Sequence, residues 1–263
     1  MTAVAGILRR ERAVIAAQLA VLFGLAWLYL WHGAGMGMSA LAMTSLTLFP
    51  HLHAEMAGEM APAFGVVVAM WWTMMIAMMT PGAAPLVLLY ERVLRHHAAE
   101  REKAYVPSLF LLAGYLAVWL AFSLVAAALQ RLLEPAGLIS SMMLWSRSAL
   151  LSATVLAAAG LYQLSPLKRA CLTQCRGPVE FLTRHWRPGR GGAFLMGVRH
   201  GAFCVGCCWL LMLLLFVGGV MNVAWIAALT LLVIAEKISP AGTVIGKAAG
   251  ALLLAWGAAT LLV

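Results

Sequence analysis

His200, Cys204, Cys207 and Cys208 crowd into one short stretch of an otherwise apolar run. At about 100° per residue on a helix, the four fall within an arc of roughly 100°, so one face carries three sulfurs and an imidazole. Thiolate and imidazole are ligands for soft metals: copper(I), zinc or an iron–sulfur cluster. The C-x-x-C-C spacing also suits a dithiol that cycles to a disulfide. Cys171 and Cys175 complete the five cysteines, and their i, i+4 spacing puts both on one face if that stretch is helical. The competing reading for any of these is a small buried hydrophobe.

A second set of soft donors lies near residue 75. Met70, Met74 and Met78 form one stripe at helical spacing, with Met75 and Met79 beside it. Thioethers bind copper(I) without titrating, although methionine at this spacing also serves as ordinary core packing. Pro81 and Pro85 each remove a backbone donor, which frees the carbonyls of Ala77 and Pro81 and predicts a kinked helix facing protein or a cavity. A third set spans His32, Met36, Met38, His51, His53, Met56 and Met60, in a stretch (32–63) without Lys or Arg. It reads either as a metal-collecting outer loop in an oxidising compartment or as a plain amphipathic loop. Glu236-Lys237 is a charged pair beside apolar sequence; such a carboxylate is costly unless paired, and either Lys237 or Lys247 pairs with it in a polar latch, the favoured reading, or both lysines snorkel to the interface.

These residues need elements to hold them. The chain has 263 residues, of which 64% are hydrophobic and only 10% charged. Its apolar runs approach twenty residues, the length that crosses a hydrocarbon core of about 30 Å. The expected fold is one all-α domain: a polytopic transmembrane bundle of about seven helices, near residues 13–31, 64–90, 106–129, 149–167, 202–220, 223–238 and 240–262. The sixth is short. The basic start at Arg9, Arg10 and Arg12 could suggest a signal peptide, but the run that follows is long for one. With the N-terminus in the cytoplasm and the C-terminus outside, 16 of the 18 basic residues fall in inner segments, seven of them in a basic loop at 168–199. The net charge of +9 is then a topology signal and requires no nucleic acid. Ser239 and Pro240 suit the start of the last helix. Gly242, Gly246 and Gly250 follow at i, i+4, i+8, a seam for close helix packing within the chain or in a homo-oligomer.

Several activities are excluded. All nine acidic residues are Glu, so no aspartyl-phosphate pump and no Ser-His-Asp triad can form. No phosphate-loop motif occurs, so the chain has no evident nucleotide motor.

Three stretches resemble a bacterial family of predicted metal-binding integral membrane proteins, labelled a domain of unknown function. They are Met70–Met79 with Thr80, Pro81 and Pro85; Lys168–Cys171 with Cys175, Arg176 and Phe181; and His200–Trp209, followed by Met212, Gly219, Met221, Asn222, Trp225, Glu236 and Lys237. The resemblance covers about residues 64–237 and implies a multi-helix membrane fold that binds metal.

The combined expectation is a multi-pass protein of a bacterial inner membrane that binds a soft metal, copper first and zinc second, and acts in its transport or delivery to an accepting protein. This suits a carrier better than an enzyme. A membrane thiol-disulfide oxidoreductase and an accessory or assembly subunit are the alternatives.

Overall fold

The computed structural model describes residues 2–35, 39, 41–45, 62–96, 105–140 and 144–262, all helical apart from turns and one isolated β-bridge. The elements are α1 (Thr2–Trp31), α2 (Phe64–His96), α3 (Tyr105–Leu133), α4 (Ala149–Leu164), α5 (Pro166–Arg176), α6 (Pro178–His185), α7 (Gly189–Leu213), α8 (Leu215–Gly218), α9 (Val223–Ile238) and α10 (Gly242–Thr260).

Five of these, in α1, α2, α3, α7–α8 and α10, are long and apolar enough to cross a membrane, against seven expected. A sixth crossing exists if α4 and α5 are taken together, although they meet at a 65° bend. The bend has a local cause. Pro166 cannot continue the ladder of α4 and holds Ser165 extended, at φ −70° and ψ 148°. Ser165 then caps α5 by accepting from the Lys168 amide at 3.1 Å. α9, at 16 residues, is only about 24 Å long. Large apolar side chains on every long helix remain exposed, among them Leu25, Val125, Leu161, Leu231 and Leu252, as on a surface facing lipid.

Several expected boundaries move. The fourth span stops at Leu164 rather than 167. The stretch 168–199, expected as a basic connection, is helical: most of α5, all of α6 and the first turns of α7. α2 runs on to His96 through both prolines. Ser239 ends α9 instead of starting the last helix, and Ala241 occupies the N-cap of α10. An extended residue before a proline fits a helix end as well as a start.

Two glycine seams draw helices together. A Cβ on Gly197 would lie 2.0 Å from the Leu111 carbonyl oxygen, and one on Gly114 would lie 2.1 Å from that of Phe194. α3 and α7 therefore touch backbone to backbone. Gly242, Gly246 and Gly250 are likewise filled within the chain, by the Glu236 carbonyl, the Glu236 carboxylate and Gln163 respectively.

The interior has two parts. A large core joins α2, α3, α4, α7 and α9. A smaller one lies toward the end of the bundle that carries α5, α6 and most of the arginines, here the basic end, and includes Tyr90, Leu111, Phe181 and Met196. At the opposite end, Asn222 donates to the Ser45 carbonyl at 2.6 Å and caps α9 through the Trp225 amide. Nearby, the Trp71 indole donates to Gln130 and Gln130 to Glu134, each at 2.9 Å.

Candidate metal centre

The face predicted on α7 exists, and it points inward: His200, Cys204, Cys207 and Cys208 are all buried. The α3–α7 seam at Gly197 and Gly201 ends just before Cys204. This close approach brings the Tyr115 hydroxyl of α3 within 3.1 Å of Cys204 Sγ and within 3.1 Å of the Met79 carbonyl on α2. Met79 lies between Ala77 and Pro81, whose carbonyls lose their helical donors to Pro81 and Pro85, so the Tyr115 bond pins α2 to α3 where its own ladder is thinnest.

The second cysteine pair converges on the first. Cys175 on α5 is buried, with its Sγ 3.9 Å from that of Cys207. Cys207 Sγ lies 3.4 Å from Cys208 Sγ. Cys171 is half-buried and lies over Gly206, where a Cβ would approach its sulfur to 3.0 Å. Lys168, Arg176 and the α4–α5 bend hold α5 across this face. All five thiols are free.

Two sulfurs 3.9 Å apart suit a shared ion. Metal–sulfur bonds of about 2.3 Å at tetrahedral to trigonal angles place neighbouring sulfurs about 3.8–4.0 Å apart. The thiol protons of the α7 pair are engaged with the backbone. The Cys207 and Cys208 thiols donate to the Cys204 carbonyl, at 3.1 and 2.8 Å. Among the described residues no three His, Cys, Asp or Glu side chains stand as a ready-made cage. The donor set thus fits a soft ion through Cys175 and Cys207, and a third ligand requires rotation of a neighbouring thiol. His200 packs between the rings of Tyr115 and Phe181, with centroids at 5.8 and 5.1 Å. Its buried Nδ1 has no hydrogen-bond partner among the described residues.

Met70, Met74, Met75, Met78 and Met79 are completely buried in the same core as the cysteines. Of the third donor set, His32 sits exposed just past α1. Met36, Met38, His51, His53, Met56 and Met60 lie outside the described residues.

The expected latch is corrected. Glu236 bonds neither Lys237 nor Lys247, which is exposed. Its partners are Lys168 Nζ and Gln163 Nε2, each at 2.6 Å. Lys237 turns the other way and donates to Cys204 Sγ at 2.9 Å. Its side chain passes over Gly82, where a Cβ would meet Lys237 Cδ at 2.9 Å. Sequence reasoning missed Tyr115, Gln163, Lys168 and Gly82. Lys168 and Gln163 did carry a signal, being polar residues at the end of an apolar run, but Tyr115 and Gly82 carried none.

The family model PpoB2, described as a copper chaperone, matches residues 68–260. No curated protein and no solved structure matches the chain. The matched stretch includes all five cysteines, the methionine stripe, Tyr115, Lys168, Glu236 and Lys237, and leaves out the histidines and methionines of residues 32–60. The description fits copper, the metal placed first from the ligand types. With well over half its length matched, site included, the chain belongs to the PpoB2 copper chaperone family.

Proposed function

We propose that this protein is a membrane-embedded copper(I) chaperone, which takes the ion on the Cys175–Cys207 sulfur pair and passes it to an accepting protein. The observation that carries this reading is the convergence of Cys175 and Cys207 from different helices to 3.9 Å inside the core. Cys204 and Cys208 supply the further thiolates, and His200 stands one turn along the same face. Copper leaves by ligand exchange: each bond to a chain sulfur breaks as a bond to an acceptor sulfur forms, and the ion keeps its charge.

The buried methionines of α2 line the approach as neutral soft ligands. Affinity rising from thioether to thiolate gives the ion a direction without nucleotide hydrolysis. The charge pattern supports a bacterial inner membrane, with the basic end and the cysteines on the reducing cytoplasmic side, where thiols stay free for metal. Residues 32–60 then form the collecting segment on the other side.

The test is copper content of protein purified from membranes. The wild type retains copper, and the Cys175→Ser/Cys207→Ser variant loses it. Equal copper in both, or none in either, rejects the reading.

A further inference from the structure

Glu236 and Lys237 are adjacent in sequence but separate in role. Lys168 and Gln163 take both oxygens of the Glu236 carboxylate at the α4–α5–α9 junction. The positive charge of Lys237 is therefore not neutralised by its neighbour. It is carried over the bare backbone of Gly82 and delivered, buried, to the sulfur of Cys204. The chain holds no Asp, so glutamates are its only side-chain carboxylates.

We propose that Lys237 is a valence filter: its fixed positive charge makes the cysteine cluster accept a monovalent ion and reject a divalent one. This rests on the copper reading above and adds the property that selects the ion. A metal held on Cys204 at about 2.3 Å from the sulfur lies within roughly 5 Å of the ammonium. At that separation the repulsion on a dication is twice that on a monocation. Soft sulfur donors bind both copper(I) and zinc, so ligand type by itself admits either ion. The lysine adds discrimination by charge, and Gly82 is the positioning residue that lets it reach the site. With an effective dielectric near 20, one extra unit of charge at this distance is worth on the order of a hundredfold in affinity.

The experiment measures copper(I) and zinc(II) affinities of the purified full-length protein against competing chelators. In Lys237→Met, zinc affinity rises relative to copper(I) by on the order of a hundredfold. Lys237→Arg keeps the charge and the wild-type preference. Gly82→Ala leaves Lys237 in the chain but pushes it aside, and the preference falls part of the way. This variant also serves if Lys237→Met does not fold. An unchanged copper-to-zinc ratio in Lys237→Met, or in Gly82→Ala should that be the only variant to fold, overturns the filter. So does an Arg variant that behaves like Met. A wild type that binds no copper overturns the copper reading instead, before any ratio is compared.

Discussion

The methionine stripe of α2 and the cysteine face of α7 lie in one apolar core, and both are fully buried. They differ in how they are held. The thioethers are placed by shape, whereas each α7 thiol is placed by direction. Cys204 Sγ accepts from Lys237 and shares a hydrogen bond with the Tyr115 hydroxyl, and Cys207 and Cys208 donate to the Cys204 carbonyl. Around the cysteines, a buried ion pair and a glycine seam fix the helices. The contrast separates residues that fill space from residues that define a site. Burial, which the two regions share, does not distinguish them.

Removing both sulfurs of the closest inter-helix pair should have the largest effect. Cys175→Ser/Cys207→Ser should lower copper affinity by about a hundredfold or more, since even groups standing behind a metal ligand contribute ten- to a hundredfold. Elemental analysis and chelator competition measure it. Lys168→Met should come next. It leaves Glu236 buried without its cation and should cost about 3–5 kcal/mol of stability, read from unfolding in detergent. A stable variant would mean that α5 is held across the site by other contacts.

Gly197→Ala should cost about 1–3 kcal/mol, because its methyl group meets the Leu111 carbonyl and must push α3 away. The same shift should draw Tyr115 from Cys204, so copper affinity should fall along with stability. The smallest change belongs to Met74→Leu and Met78→Leu. A volume-conserving swap should cost less than about 1.5 kcal/mol and leave the copper bound per chain unchanged, while slowing loading if the stripe lies on the approach. A loss of bound copper as large as that of the cysteine pair would erase the distinction between the two regions.

Much of the α7 face was legible because helical periodicity is local. The spacing of His200, Cys204, Cys207 and Cys208 puts them on one side whatever they pack against. The same holds for the methionine stripe and for Cys171 with Cys175. The convergence of α5 on α7 was not legible, because it depends on the 65° bend after Leu164 and on the anchoring of α5 by Lys168. The partner of Glu236 was misjudged for a related reason. Sequence proximity favoured Lys237, but successive residues on a helix point about 100° apart. The packing of α4 and α5 then brought a different lysine to the carboxylate.

The order and apolar character of the long helices, the grouping of His200 and three cysteines on one helical face, and the lack of any Asp or phosphate-loop motif follow from the chain alone, because each rests on composition or on a short repeat. Which helices touch, which glycines make room, and where Lys237 carries its charge were decided only on folding. The contacts that assemble the site, such as Cys175 with Cys207, Lys168 with Glu236 and Gly82 with Lys237, join residues distant in the chain, and no local pattern encodes such pairings.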